Sequence, residues 1–256
     1  MSIKSEIASK TAKGGFDNEK EVAEKFTNWE NDKDAQQWLK IMMYDLKDII
    51  SVEGEGIGSR GYKADVLVTV KVIIKRKSGD KELTSVEKIQ VKLVSNKSGS
   101  NQIERKYVDS YKEIWHMPDD IADTLKHFCG ELPPREGCED PKRMYMNEFT
   151  LSERENLSRF LEENMVMIVS DIIRGRGRFA AEWMLVIHKH QGYRWKLISI
   201  NEAINHYVGD HKVEFTSNGG IRLGRITMQR KGGDNGKKTA NQLQFKANPL
   251  SIFALP

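Results

Sequence analysis

The chain has 256 residues, of which 38% are hydrophobic and 30% are charged, and its formal net charge is +4. It is long enough for one large domain or two small ones, with enough apolar residues for a core beneath a very polar surface. A net charge this small excludes no class of partner, so the distribution of basic residues along the chain carries more information.

The sequence shows no pattern typical of secretion or membrane insertion. Met1–Gly15 lacks the apolar segment of a signal peptide, and no apolar run approaches the roughly 18 residues of a membrane span. Cys129 and Cys138 are the only cysteines, which is typical of a reducing cytoplasm. We therefore expect a cytoplasmic protein with no membrane partner.

Hydrophobic periodicity predicts helices at the start of the chain and strands after them. The predicted helices are Phe16–Trp29 and Asp34–Leu46, followed by a glycine-rich break at Gly54–Gly61. A strand is predicted over Tyr62–Ile74, because Val66, Val68, Val70 and Val72 share one face. After a charged hairpin tip around Gly79, a second strand begins near Glu87 and places Ile89, Val91 and Leu93 on one face. A polar loop, Ser95–Gln102, follows.

The second half of the chain predicts further helices and strands. Thr150 and Glu153 have the spacing of a capping box, which starts a helix that runs to Asn164. The other predicted helices are Ile103–Trp115 and Asp119–Phe128. The predicted strands are Met165–Ile173, Ala181–Lys189, Tyr193–Ile200 and Ile221–Met228. This succession indicates a mixed α/β or α+β fold.

Basic residues are concentrated in a few segments. Arg174–Arg178 contains three arginines in five residues, and Arg222–Lys246 contains seven basic residues and one acid. Clusters of basic residues usually form a solvent-exposed surface, but the glycines in both segments would allow the backbone to approach a polyanion closely. Ser9–Gly15, which contains Lys13, is a further basic segment that a frayed terminus explains equally well.

Three polar residues on the two central strands could form a hydrolytic site. Asp65 lies on the strand face opposite the valines, and Gln90 and Lys92 share the second face of the next strand. If the strands pair as a hairpin, the three side chains meet. A carboxylate and an amide oxygen suit Mg²⁺, and a lysine can orient water and offset charge on phosphorus. Taken alone, Asp…Gln-x-Lys is also a pattern that strands produce by chance.

A second cluster could indicate a zinc site. His127, Cys129 and Cys138 have the pattern H-x-C-x8-C. A closed zinc site needs a fourth ligand and tighter spacing, so two free thiols are the favoured interpretation.

Short segments along the chain, in order from about Ser9 to Lys246, resemble one enzyme family. They include GYKAD, IQVKLVSNK, HFCGELPP, RGRG and QRKGGDNG. The ordered set resembles the small type II restriction endonucleases of the PD-(D/E)xK superfamily that cut GCGC, the Haemophilus member in particular, with Gln90 at the acidic position. The resemblance implies an α/β, restriction-endonuclease-like core in which a mixed β-sheet is flanked by helices.

The resemblance also implies the site residues and the cofactor. Asp65, Gln90 and Lys92 form the catalytic group, and Asp65, Gln90 and Val91 contact Mg²⁺, with two ions per site when DNA is bound. Residues 1–256 form one endonuclease domain, with a catalytic core over about 16–115 and recognition segments over about 95–102, 174–178 and 222–246. The residues expected to bind DNA are Lys13, Ser95, Asn96, Lys97, Ser100, Asn101, Gln102, Arg174, Arg176, Gln229, Arg230, Lys231, Asn235, Lys237, Lys238 and Asn241.

The expected partner is double-stranded DNA, cut at a short palindrome, GCGC by resemblance, in the bacterial cytoplasm. The enzyme can act as a homodimer or as a monomer, and it is paired functionally with a DNA methyltransferase. Three alternatives stay open: the same nuclease with another four-base target, a non-catalytic DNA-binding protein such as a repressor, and an RNA-binding module. The last would need exposed aromatic rings for stacking, and the loops contain few.

Overall fold

The computed structural model describes residues 17–58, 63–74, 79–95, 99, 101–190, 192–217, 219–233 and 237–256. The chain divides into two compact units. The first unit comprises residues 1–97, 174–203 and 250–256, and the second comprises 98–173 and 204–249. The interpretation of residues 1–256 as a single endonuclease domain stays a prediction.

The first unit contains a five-stranded sheet with the strand order β1-β2-β3-β5-β6. These strands are Ile49–Gly56, Val66–Ile74, Lys81–Val94, Trp183–His188 and Arg194–Ser199. β3 and β5 run parallel and every other neighbouring pair is antiparallel, so the sheet is mixed. Together with the flanking helices, this confirms the predicted fold class.

Two helices cover one face of this sheet: residues 17–27 (α1) and Lys33–Ile41 (α2). Phe26 and Trp38 are fully buried there, against the alternate valines of β2. Because side chains of a strand alternate between faces, Gln90 and Lys92 are directed away from the face of β3 that Ile89 and Val91 share, and Asp65 directly precedes β2. The apolar pattern of β2 and β3 therefore decides where the polar site lies.

The second unit contains an antiparallel sheet with the order β4-β10-β9-β8-β7. These strands are Asn101–Lys106, Leu243–Ala247, Ile226–Arg230, Ile221–Leu223 and Val213–Phe215. The helices that follow β4 along the chain are α3 (Val108–Trp115), α4 (Asp119–Cys129), α5 (Leu151–Glu163), α6 (Met165–Arg174) and α7 (Ile200–Val208), of which Arg174 and residues 200–203 belong to the first unit. The rings of Tyr111 and Trp115 on α3 pack edge-on against Phe245 of β10, with centroids 5.3 and 5.9 Å away. None of the described helices is long and apolar enough to cross a bilayer.

The helix predicted over Ile103–Trp115 is wrong in its first half. Residues Asn101–Lys106 form β4, and the helix begins only at Val108. The end of the loop predicted over Ser95–Gln102 also belongs to this strand. β4 pairs with β10, which lies far later in the chain, so local periodicity contains no signal of the pairing.

The strand predicted over Met165–Ile173 is also wrong, because these residues form α6. The buried apolar residues of this helix are Met165, Ile168, Val169, Ile172 and Ile173. Their spacing of three and four residues is that of a helix, but a short apolar run buried on several sides resembles a core strand as well.

The glycine-rich break predicted over Gly54–Gly61 is wrong at its start, since β1 continues to Gly56. Gly54 lies against α1, where an added Cβ would be 2.3 Å from the carbonyl oxygen of Ala23. The glycine is thus required for close packing of the helix on the strand and does not interrupt the strand.

Two other predicted elements have different bounds. The helix expected over Asp34–Leu46 ends at Ile41, and Met43 has a left-handed backbone with φ of 70°. The strand expected over Ile221–Met228 is two strands, β8 and β9, joined through Gly224 with φ of 54°. In both cases a residue with positive φ turns the chain where the apolar pattern continues.

Candidate active site

The carboxylate of Asp65 is held by the backbone of β3. The Asp65 amide donates to the Ile89 carbonyl at 2.8 Å, and the Asp65 Oδ2 accepts from the Val91 amide at 2.8 Å. β2 begins at Val66, opposite Ile89, so the Val91 amide lies beyond the last β2–β3 pair and is bound by a side chain instead. This hydrogen bond holds the carboxylate at the backbone of β3 between Gln90 and Lys92, and β2 and β3 pair as the antiparallel hairpin that the hypothesis requires.

Gln90 presents a buried oxygen that lacks a partner. Gln90 is 1% exposed, and its side-chain Oε1 has no hydrogen-bond partner among the described residues. β5 pairs alongside, with Met184 opposite Gln90. An unpaired buried carbonyl costs free energy, which makes a ligand that accepts an oxygen lone pair favourable at this place.

The electrostatics of the site depend on burial and on Lys92. Burial raises the pKa of the half-buried Asp65 carboxyl, while Lys92, the Val91 amide and Lys63 act in the opposite direction. The Lys92 side chain is half-buried on the same face as Gln90. Lys92 is therefore the main positive charge that offsets the cost of ionising Asp65.

Glu19 is a further acid of the site that sequence reasoning did not assign. It lies on α1 and is half-buried. Burial, and then repulsion by Asp65, raise the pKa of Glu19 from 4.5 to about 7, against the lowering effect of Lys92. Glu19 lies in the first turn of the helix predicted over Phe16–Trp29, and local periodicity contains no signal that brings this turn close to Asp65.

Three predicted DNA-binding residues are exposed in the first unit. Ser95 directly follows β3, and Arg174 and Arg176 lie at the end of α6 and just after it. Gly175 between the arginines has φ of 75°, and an added Cβ would be 2.3 Å from Cγ of Lys63. The Gly175 backbone thus lies directly against Lys63, two positions from Asp65 in the chain.

In the second unit, β9 and the segment before β10 bring several predicted residues together. Arg230 donates to the Asn241 Oδ1 at 2.7 Å, and Asn241 donates to the Gly130 carbonyl at 2.6 Å. Lys237 and Lys238 are exposed. Arg230, Lys237, Lys238 and Asn241 line a cavity of about 480 Å³.

The other predicted DNA-binding residues of this unit lie on or beside its strands. Asn101 and Gln102 lie on β4, Gln229 lies on β9, and Lys231 directly follows β9. Lys13, Asn96, Lys97, Ser100 and Asn235 lie outside the described residues.

Comparison with known proteins agrees with this geometry. The family model of the R.HinP1I restriction endonuclease matches residues 42–253, which is most of the chain. The chain belongs to the R.HinP1I restriction endonuclease family. It is therefore a type II site-specific deoxyribonuclease, and the predicted enzyme class is confirmed.

A solved structure supports the fold of this R.HinP1I-family endonuclease. The restriction endonuclease MspI, crystallised with its cognate DNA, superposes with a TM-score of 0.61 at 13% sequence identity, covering 90% of this chain and 87% of MspI. No curated protein matches the chain significantly. At this identity the structural likeness speaks for the fold alone.

The donor set at Asp65 fits a hard divalent cation. Within the described part of the chain, no group of three or more His, Cys, Asp or Glu side chains is placed to hold a metal ion. Mg²⁺ differs from zinc in relying on few carboxylates and on neutral oxygens, water and phosphate. The Asp65 carboxylate and the unpaired Gln90 oxygen are ligands of that kind.

The residues of the zinc hypothesis are engaged elsewhere. Cys129 and Cys138 are free, and the Cys129 thiol is buried and donates to the Lys126 carbonyl at 3.7 Å and to Glu131 at 3.5 Å. Burial raises the pKa of this thiol far above its usual range. A thiol in such surroundings is a poor metal ligand, because metals bind the thiolate.

Proposed function

We propose that this endonuclease makes Mg²⁺-dependent double-strand cuts in DNA at the palindrome GCGC, with Asp65, Gln90 and Lys92 as its catalytic group. One observation carries the proposal. The Asp65 carboxylate accepts a hydrogen bond from the amide of Val91, and this residue stands in the chain between Lys92 and Gln90, whose buried side-chain oxygen has no partner among the described residues. Family membership sets aside the repressor and RNA-binding alternatives.

Asp65, Gln90 and Val91 would hold Mg²⁺, and the proposal includes two ions per site when DNA is bound. The chemistry supplied there is Lewis-acid activation of water and neutralisation of phosphate charge. Gln90 contributes no charge, so the scissile phosphate provides part of the negative charge that the cation needs.

The chain's own residues perform the remaining tasks. The Val91 amide keeps the Asp65 carboxylate in one orientation. Lys92 orients the attacking water and offsets the negative charge that develops on phosphorus. Glu19, whose pKa of about 7 lies near neutrality, accepts a proton from the attacking water.

Sequence recognition is proposed for the segments around 95–102, 174–178 and 222–246. Two-fold symmetry of a palindrome suits a homodimer in which each copy cuts one strand. The host genome would be protected by a DNA methyltransferase that acts on the same sequence. The same nuclease with a different four-base target is the remaining alternative.

Plasmid digestion tests the proposal. Purified protein is incubated with sequenced plasmid DNA in Mg²⁺ and, as control, in EDTA, and the fragment ends are mapped. We expect discrete fragments with ends at GCGC in Mg²⁺ only. Fragments that end at another four-base sequence would replace the target, and undiminished cutting in EDTA would overturn the proposed metal dependence.

A further inference from the structure

Three glutamine side chains form a row across the sheet of the second unit. Gln244 lies on the central strand β10, directly opposite Gln229 of β9, and Gln102 lies on β4 on the other side. Gln244 Nε2 donates to Gln102 Oε1, and Gln229 Nε2 donates to Gln244 Oε1 at 3.3 Å. The row therefore links the three strands through their side chains.

This row lies on the face of the sheet opposite the aromatic core. Phe245, the neighbour of Gln244, packs against Tyr111 of α3. Because successive side chains of a strand alternate, Gln244 is directed to the opposite face. Gln244 is 5% exposed at the centre of the row, whereas Gln102 is exposed and Gln229 is half-exposed.

The other residues of this face are polar and mostly basic. Register places Arg105, Thr227 and Lys246 beside the glutamines. Arg222 continues the face on β8 and is paired with Glu214 at 3.1 Å. Basic side chains around neutral amides are the composition of a surface that binds phosphates at its edges and base edges at its centre.

The hydrogen bonds of Gln244 determine the direction of both outer amides. Gln244 uses its nitrogen toward Gln102 and its oxygen toward Gln229, whose nitrogen also donates to the Arg230 carbonyl at 3.5 Å. Among the described residues, the Gln102 Nε2 and the Gln229 Oε1 keep no partner of their own. The row thus ends in a donor on β4 and an acceptor on β9.

We propose that Gln244 is a positioning residue for sequence recognition, which holds Gln102 as a donor and Gln229 as an acceptor toward base edges. The proposal rests on the proposed function. The two outer strands are about 10 Å apart, which corresponds to about three base steps. In the major groove a donor reads guanine O6 or N7, and an acceptor reads the cytosine N4 amine, so the pair suits a site made of G·C pairs.

Two substitutions of Gln244 test this role. In Gln244→Glu the introduced carboxylate can only accept, so the Gln102 amide turns and directs its oxygen outward. We expect the ratio of kcat/KM for GCGC duplexes to that for single-base-pair variants to fall at least about tenfold, in line with the loss of one base contact. Gln244→Met removes both bonds without new charge and should also lower the ratio.

A matched control and a stability measurement separate this role from simpler effects. Gln37→Glu introduces the same charge at an exposed position of α2, outside the proposed recognition segments, and should keep the wild-type ratio. If Gln244→Glu lacks a cooperative thermal transition, Gln244→Met decides. An unchanged ratio in the folded variants would overturn the role of Gln244 while leaving the nuclease proposal intact. Absence of cleavage by the wild-type protein would instead overturn both.

Discussion

At the residue scale, the neutral oxygen of Gln90 distinguishes the proposed site from one with two carboxylates. Because the site has one negative charge fewer, metal binding should depend strongly on bound DNA. We expect Mg²⁺ or Mn²⁺ to bind weakly to the free protein and more tightly to its complex with GCGC duplex, by calorimetric titration. Equal affinity in the two states would contradict this coupling.

Substitution of Gln90 tests the same oxygen directly. Gln90→Glu should tighten metal binding by the free protein and keep some cleavage, because the Glu side chain has the same length as Gln and ends in a charged oxygen. Gln90→Ala should lose most cleavage activity. Gln90 is only 1% exposed, so no neighbouring solvent-exposed group can take over as the metal ligand. Cleavage at the wild-type rate by Gln90→Ala would show that Gln90 is not a ligand.

Glu19 should make stability depend on pH. Its pKa rises from 4.5 to about 7 on folding, so the folded protein holds the proton more tightly than the unfolded chain. The stabilisation is complete below about 4.5 and is lost as pH rises through 7. We therefore expect the Tm of the metal-free wild type to fall, relative to Glu19→Gln, between pH 5 and 8.

Thermal unfolding of both proteins across this pH range, in EDTA, measures the effect. A Tm difference that is constant with pH would show that Glu19 is an ordinary surface acid.

At the scale of elements, the packing of α1 on β1 positions Glu19. An added Cβ at Gly54 would be 2.3 Å from the Ala23 carbonyl, while at Gly56 it would meet nothing within 4 Å. We expect Gly54→Ala to lower the free energy of unfolding by about 2 kcal/mol, in the range of overpacking. The displaced helix should also lower cleavage.

Gly56→Ala is the matched control on the same strand and should change stability by less than about 0.5 kcal/mol. Urea denaturation of the two variants gives both values. Equal stability of the two variants would show that α1 and β1 adjust without cost.

The elements that local chemistry specifies are those that sequence reasoning predicted correctly. The capping box of α5 forms as expected, with the Glu153 amide donating to the Thr150 Oγ1 at 3.3 Å. The predictions for β4 and α6 were wrong. Pairing with β10 determines the structure of β4, and burial on several sides makes the apolar run of α6 resemble a core strand. Neither cause is visible within a window of the sequence.

At the scale of the whole molecule, DNA binding should depend on salt through individual lysines. Lys238 is exposed beside the cavity that Arg230 lines, and Lys33 is an exposed lysine of α2 outside the proposed recognition segments. Lys238→Ala should weaken binding to all sequences alike and lower the salt slope by about one. Lys33→Ala should leave the slope unchanged.

Electrophoretic mobility shifts over a series of salt concentrations compare the two lysine variants with the wild type. A salt slope that is the same in all three proteins would assign Lys238 to solvated surface.

The proposed grouping of Asp65 with Gln90 and Lys92 was accessible from the sequence, because the apolar alternation of two successive strands indicates that they pair as a hairpin. Asp65 and the Gln90–Lys92 pair need only one hairpin register to meet. Glu19 and Gln244 could not be predicted in the same way. Glu19 reaches the site through helix packing, and Gln244 acts through two amides on strands that pair only in the folded chain.

The central claim is that DNA cleavage requires the Asp65 carboxylate, which the Val91 amide holds in place. Single-turnover cleavage of a GCGC duplex by Asp65→Asn in Mg²⁺ tests this claim most directly. Asn preserves the size of the side chain and removes its charge. The account predicts that the cleavage rate falls by roughly 10²-fold or more, as for loss of a group that stabilises the transition state, while the DNA affinity measured in Ca²⁺ is retained. Cleavage by Asp65→Asn at the wild-type rate would contradict the account.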